Sequence, residues 1–270
     1  MILKELKIKS WIGDATNCYI VQDENSKETM VIDPAGDVDK IIEMLDILQA
    51  KLKYIYLTHC HGDHIGGVIE LKQRYGGKVV TERNDAENLL DVNKNLSYYV
   101  TSKEIVIETD ARVDDEDLLH LGDLEFKVIH TPGHTSGGSC LYCEKEKLLF
   151  SGDTLFRGTW GRTDVPTGDF EDIIGSITKK LMILPDDTIV YAGHGKSTMI
   201  REEKPIYLEL KPRLIWVNIK LFAWYNIQDT LINKKADDKI ISLFVLNKYH
   251  FTYNIYRNIR TRRNICLMLQ

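Results

Sequence analysis

The run His59-Cys60-His61-Gly62-Asp63-His64 constrains this chain more than any other feature of its sequence. It begins one residue after an apolar stretch at residues 54–57, which has the composition of a strand. Three imidazoles and one carboxylate within six residues form a dense set of metal ligands that suits zinc, iron or manganese. The run therefore predicts a metal centre on a loop that a rigid scaffold holds at a strand end.

Three further ligand-type side chains follow predicted strands: His134, Asp153 and His194. A tight bend allows His59 and His61 to face one metal, which places Asp63 and His64 for a second ion. Cys60 stands between two histidines, so its thiol is expected to point to the opposite side. The spacing thus predicts a two-metal site. We treat the C-x-x-C pair at residues 140–143 as part of a strand.

The spacing of apolar residues predicts strands and helices that alternate without a strict rhythm. Three strands are expected within residues 1–33, and others at residues 52–57, 78–81, 124–130, 148–151 and 188–191. Helical spacing occurs at residues 38–48, 64–75 and 170–181. Early hairpins followed by helices indicate a layered α/β or α+β protein in which helices cover mixed sheets.

Composition narrows the function classes. The net charge is −5 over 270 residues, and no run of 18 apolar residues occurs, so neither nucleic acid nor a membrane is an expected partner. The first nine residues alternate apolar and charged side chains, as a strand does and a signal peptide does not. We therefore expect a cytoplasmic protein with reduced thiols.

The composition changes near residue 205. All 18 glycines lie within residues 1–195, and residues 206–270 carry a net charge of +7, against −12 for residues 1–205. We expect a catalytic domain at residues 1–205 and a separate extension at residues 206–270. For the extension we consider a lid or dimer contact, and a frameshifted reading of AT-rich coding sequence.

Four segments together resemble one family: T-H-C-H-G-D-H at 58–64, T-P-G-H-T at 131–135, S-G-D-T-L-F at 151–156 and G-H-G at 193–195. They are similar to the metallo-β-lactamase superfamily, in particular to short bacterial members of its glyoxalase II-like (hydroxyacylglutathione hydrolase-like) branch. The resemblance covers about residues 1–204. It implies an α+β fold, a four-layer αββα sandwich with metals at one edge of the paired sheets.

The resemblance also implies two divalent ions and their ligands. The first ion is expected on His59, His61 and His134, and the second on Asp63, His64 and His194. Asp153 is expected to bridge the two ions, and Asp63 and Asp153 are the predicted catalytic carboxylates. Zinc is the expected metal, with iron or manganese as alternatives.

The expected reaction is hydrolysis of a small-molecule acyl thioester by a hydroxide that bridges the two ions. Arg162 and Arg157 follow Asp153 closely and are candidates for binding a substrate carboxylate. The stretch Gly161-Arg162-Thr163-Asp164 also resembles persulfide dioxygenases of the same superfamily, which makes an iron-dependent dioxygenase the alternative. A non-catalytic binding protein on this scaffold is a further alternative. β-Lactam hydrolysis is disfavoured, because it usually accompanies export.

Overall fold

A computed structural model describes residues 1–9 and 15–207, in which two six-stranded sheets are the central elements. The first sheet contains, in spatial order, β1 (Ile2–Lys9), β2 (Ala15–Gln22), β3 (Glu28–Ile32), β4 (Lys51–Tyr56), β5 (Lys78–Glu82) and β6 (Ala111–Val113). The second sheet and a short hairpin contain β7 (Leu118–Leu121), β8 (Leu124–His130), β9 (Ser139–Cys143), β10 (Leu148–Gly152), β11 (Leu155–Phe156), β12 (Thr159–Trp160), β13 (Ile189–Ala192) and β14 (Thr198–Met199). The order in the second sheet is β14-β13-β10-β9-β8-β7, and β11 pairs with β12. Cys140 and Cys143 lie in β9, as predicted.

The helices are α1 (Val38–Ile47), α2 (Gly62–Ile65), α3 (Val68–Tyr75), α4 (Arg83–Asn88), α5 (Ser97–Thr101) and α6 (Phe170–Ser176). A π-helical turn at Ile177–Leu181 follows α6 directly. The prediction of one helix over residues 64–75 is wrong, because the chain breaks at Gly66-Gly67. A Cβ atom on Gly66 would lie 2.0 Å from the Ala35 carbonyl oxygen, and the Gly67 amide donates to the Pro34 carbonyl at 2.7 Å. Because the turn at Gly66-Gly67 packs closely against Pro34 and Ala35, the chain forms two helices here and not one.

Alternation along the strands creates two cores. In β3, Met30 and Ile32 join a cluster with Phe126 and Phe150 of the second sheet, so this face lies between the sheets. Val31 points the other way, into a cluster that includes residues of α1 and α3. Because successive side chains of a strand point to opposite faces, a strand buried on both sides reads as a continuous apolar run. The expected αββα sandwich is confirmed.

The strand directions bring the predicted ligands to one edge. β3, β4 and β5 are mutually parallel, so their carboxyl ends meet. β10 is parallel to β13, and β8 runs in the same direction because both it and β10 are antiparallel to β9. The edges of the two sheets are joined where the Asn17 amide donates to the Gly193 carbonyl at 2.7 Å and the Ser139 amide donates to the Thr58 carbonyl at 2.9 Å. This edge is where ligands bind in sheets of this kind.

The described part of the chain ends in a helix at residues 200–207, which continues past the predicted boundary at residue 205. Tyr207 is buried, and its hydroxyl donates to the Thr159 carbonyl at 3.0 Å. The predicted extension at residues 206–270 lies outside the described residues from residue 208 onward. Among the residues that the structure describes, no helix has both the length and the apolar character needed to cross a bilayer.

Candidate metal centre

The loop after β4 carries four of the predicted ligands, and Gly62 allows it to turn. The Gly62 amide donates to the Asn95 carbonyl at 2.7 Å, which draws the loop against α5. A Cβ atom on Gly62 would lie 2.5 Å from the Ser97 Cα atom, closer than any side chain can approach. Glycine is thus required for α2 to begin directly beside α5, with Asp63 and His64 in its first turn.

Three histidines form the first cluster. His59, His61 and His134 are all buried, and their ring nitrogens lie within 4.8 Å of one another. The His61 Nδ1 and His134 Nε2 atoms are 2.9 Å apart. Burial lowers the pKa of both His59 and His61 well below the usual value, and the neighbouring histidines lower it further. The two rings are therefore neutral at physiological pH, which is the form that binds metals.

A second cluster contains Asp63, His64 and His194, whose ligand atoms also lie within 4.8 Å of one another. The Nε2 atoms of His64 and His194 are 3.2 Å apart, and the His194 Nε2 atom is 3.4 Å from Asp63 Oδ2. Burial lowers the pKa of His64, but the carboxylates of Asp153, Asp63 and Asp33 outweigh burial and raise it to about 10. Three carboxylates thus surround this cluster, and their negative charge favours the binding of a cation.

Asp153 lies between the two clusters. Its Oδ2 atom is 3.6 Å from His134 Nε2 in the first cluster and 3.5 Å from His194 Nε2 in the second. Its Oδ1 atom is 3.5 Å from His64 Nε2. One carboxylate is therefore within reach of both groups of ligands, as a bridging ligand has to be.

A pair of divalent cations fits this arrangement. Among the described residues, His59 Nε2, His61 Nε2 and Asp153 Oδ1 are buried atoms without a hydrogen-bond partner. Buried polar atoms in folded proteins are normally satisfied, so orphaned atoms in one small volume indicate a missing partner. Imidazole and carboxylate ligands at this density suit zinc, iron or manganese. The seven predicted ligands are brought together as two adjacent sets.

Two supporting residues, Asp33 and Thr58, did not emerge from the sequence. The Thr58 hydroxyl donates to Asp33 Oδ2 at 2.7 Å, so at its 3.1 Å contact with His59 Nδ1 it accepts the proton of that ring nitrogen. Asp33 Oδ2 also lies 3.0 Å from His64 Nδ1. Both rings are thereby held with Nε2 toward the site, the arrangement that partners of metal-bound histidines usually enforce. Asp33 directly follows β3 and precedes Pro34, and this position after a strand is a signal that could have found it.

One ligand atom from each of Asp33, His59 and His64 also lies within 4.8 Å of the other two. Asp33 accepts the amide proton of Thr58 at 2.8 Å in addition to its contacts with the Thr58 hydroxyl and His64 Nδ1. Its oxygens are thus occupied by donors on the far side of the rings. We assign Asp33 to the support of the site and not to the ligands.

Backbone carbonyls orient two more rings. His134 Nδ1 donates to the Arg162 carbonyl at 2.7 Å, and His194 Nδ1 donates to the Ala15 carbonyl at 3.2 Å. The Arg162 side chain is exposed and forms a bidentate ion pair with Asp164 at 2.8 and 3.0 Å. Arg157, at the β11–β12 turn, is exposed. Cys60, whose thiol was expected to point away from its neighbouring histidines, is fully buried in the apolar cluster that also contains residues of α1 and α3.

Gly193 leaves room for Asp153, which gives a testable prediction. A Cβ atom there would lie 2.2 Å from Asp153 Oδ1 and 2.8 Å from His64 Cε1, so Gly193→Ala should displace both side chains. We expect zinc affinity to fall by about 10- to 100-fold, the range seen when metal ligands lose their orientation. Equilibrium dialysis with elemental analysis measures this. Gly36→Ala is the matched control, because its Cβ atom would meet nothing within 4 Å. Equal zinc binding by both variants would contradict the prediction.

Comparison with known proteins identifies the class. The model of the metallo-β-lactamase superfamily matches residues 11–194, and the chain belongs to this superfamily. Its members are mainly metal-dependent hydrolases that bind divalent metals, and the histidine and aspartate clusters fit a metal site of that kind. This places the chain among the metallo-hydrolases.

Individual relatives carry more specific names. The chain is 36% identical to hydroxyacylglutathione hydrolase GloC of Haemophilus influenzae over 194 residues, which are 70% of this chain and 89% of that protein. It is also similar to the crystal structure of BLEG-1 B3 metallo-β-lactamase, with 36% identity, a TM-score of 0.69, and 75% and 96% of the two chains covered. The crystal structure of ETHE1 from Myxococcus xanthus matches with 31% identity, a TM-score of 0.62, and 76% and 82% covered.

Proposed function

We propose that this chain is a hydrolase of acyl thioesters that uses two divalent ions, with zinc as the expected metal. The observation that supports this most directly is the position of Asp153, which lies 3.5 to 3.6 Å from ring nitrogens of both clusters. The substrate class is supported by the 36% identity with hydroxyacylglutathione hydrolase GloC. We propose a small-molecule thioester as the partner.

Each ion has its own set of ligands in this proposal. His59, His61 and His134, all buried, would hold the first ion. Asp63, His64 and His194 would hold the second, and Asp153 would serve both. Ions bound here would lower the pKa of water to about 7 and would polarise a substrate carbonyl. Asp33 and Thr58 keep the Nε2 atoms of His59 and His64 aimed at the site, so that little reorganisation is needed during the reaction.

A thioester suits the residues at this edge. A thiolate leaves without being protonated first, because a free thiol has a pKa near 8.5. The reaction therefore requires no separate general acid. Arg157 and Arg162 are the proposed contacts for a substrate carboxylate. Arg162 has to exchange Asp164 for the substrate, and its exposed position permits this exchange at small cost.

A second candidate is the iron-dependent dioxygenation of a thiol persulfide. It is supported by the Gly161-Arg162-Thr163-Asp164 stretch, which resembles persulfide dioxygenases, and by the 31% identity with ETHE1 from Myxococcus xanthus. In that reaction a single iron ion would bind at the three-histidine cluster, together with Asp153. The two candidates differ in metal content and in oxygen use.

A substrate panel separates these activities. Purified full-length protein is stripped with a chelator, reloaded with zinc, iron or manganese, and offered S-lactoylglutathione, other acyl thioesters, a β-lactam, and glutathione persulfide under oxygen monitoring. We expect thioester cleavage that a chelator abolishes and metal restores. Oxygen consumption with persulfide, or cleavage of the β-lactam alone, would replace the proposal with the corresponding alternative.

A further inference from the structure

A buried carboxylate on α4, Asp85, lies behind the three-histidine cluster. Its side chain is inaccessible to solvent and accepts four hydrogen bonds. The Oδ2 atom accepts from the Cys60 amide at 3.0 Å and from the Thr135 hydroxyl at 2.7 Å. The Oδ1 atom accepts from the Gly137 amide at 3.1 Å and from Asn88 Nδ2 at 2.8 Å. Every partner except Asn88 lies on a loop that carries a predicted ligand.

The two Oδ2 partners are immediate neighbours of all three histidines. Cys60 stands between His59 and His61, on the loop that follows β4 of the first sheet. Thr135 follows His134, on the loop between β8 and β9 of the second sheet. A single oxygen atom thus joins the two loops, and the distance between the loops sets the distance between the histidines.

The residue types around Asp85 match this arrangement. A Cβ atom on Gly137 would lie 2.2 Å from the Asp85 amide nitrogen and 2.8 Å from its Cβ atom, so only glycine lets the second loop approach α4 this closely. An ionised carboxylate costs several kcal/mol to bury unless its lone pairs are satisfied, and here four donors satisfy them. Asparagine cannot replace it, because its NH₂ group would face donors on one side.

We propose that Asp85 is a positioning residue that fixes His59 and His61 relative to His134 and thereby sets the metal affinity of the three-histidine cluster. This role rests on the metal site of the proposed function, and it adds a determinant that contacts neither metal nor substrate. One loop comes from the first sheet and the other from the second. The Asp85 carboxylate fixes the position of one loop relative to the other, which neither loop achieves alone.

The test isolates the first cluster and removes one hydrogen bond to it. In a His194→Ala background, which takes a ligand from the second cluster, full-length protein is stripped and titrated with Co²⁺ against a chelator. Thr135→Val removes only the hydroxyl that donates to Asp85. We expect Co²⁺ affinity to fall by about 10-fold or more and the visible absorption band of bound Co²⁺ to change. Thr135→Ser keeps the hydroxyl and should restore both affinity and spectrum.

Two further variants separate positioning from stability. Thr29→Val removes a buried, hydrogen-bonded hydroxyl at the start of β3, the end of that strand away from the site, and should leave Co²⁺ binding unchanged. Asp85→Asn should weaken binding more than Thr135→Val, and if it does not fold, Thr135→Val decides. Folded Thr135→Val protein with the affinity and spectrum of the background would overturn the proposal. Tight Co²⁺ binding without any thioester turnover in wild type would refute only the proposed function.

Discussion

Replacing Asp153 with asparagine should lower kcat/KM for an acyl thioester by about 10³-fold or more. The change removes the charge that both clusters share while it preserves the shape of the side chain. Stabilisation of transition-state charge by a metal is worth several kcal/mol, and each 1.36 kcal/mol corresponds to a factor of ten in rate. His59→Ala should have a comparable effect, because it deletes a ligand whose Nε2 atom is buried and unpartnered among the described residues.

Steady-state kinetics with metal-saturated protein measures this effect. Asp187→Asn is the matched control, because it makes the same chemical change in an exposed ion pair with Lys147 and should alter neither activity nor folding appreciably. Circular dichroism has to show that Asp153→Asn is folded. If the folded variant keeps the kcat/KM of the wild type, Asp153 is not part of the reaction centre.

Removing the metals should lower the melting temperature substantially. When the free ion concentration is 100 times the Kd of a site, binding there stabilises the folded chain by about 2.7 kcal/mol. For a chain of this size, one kcal/mol corresponds to roughly 2–4 °C, so we expect a rise of about 5–11 °C for each occupied site. The physical reason is that buried ligand atoms without partners and a carboxylate-rich cluster gain their counterpart when cations bind.

Differential scanning calorimetry on stripped and zinc-loaded protein tests the stabilisation. A His59→Ala, Asp153→Ala double variant is the control, because it loses a histidine of the first cluster and the carboxylate that is proposed to bridge the two ions. Its melting temperature should respond little to zinc. An equal rise in the wild type and the double variant would mean that zinc binds elsewhere on the chain.

The sequence was most informative where chemistry and strand ends coincide. His59, His134, Asp153 and His194 each follow a strand, and parallel strand directions bring them to one edge. Local spacing drew attention to these residues, and the resemblance to a known family supplied their predicted division into two sets. The fold class followed from the same motifs, since the sandwich is the scaffold that holds them.

Residues that act through long-range contacts could not be found in this way. Asp85 is one acidic residue in a polar helix. Only the tertiary structure brings its Oδ2 atom within 2.7 Å of the Thr135 hydroxyl, which lies 50 positions further along the chain. Thr58 is equally inconspicuous, because its role depends on Asp33, which directly follows β3. The break at Gly66 arises from contact with Ala35, which no periodicity of the helix itself reveals. At Gly66 a tertiary contact outweighed the local helix propensity.

The site is proposed to hold two ions, and the decisive measurement is the number of metal ions per folded chain. Elemental analysis of the full-length protein reconstituted with excess zinc or iron, and freed of loosely bound metal, gives this number. We expect two ions per chain, and thioester turnover that rises with occupancy. One iron per chain, with oxygen consumed in the presence of a persulfide, would refute the two-ion hydrolase and support the dioxygenase.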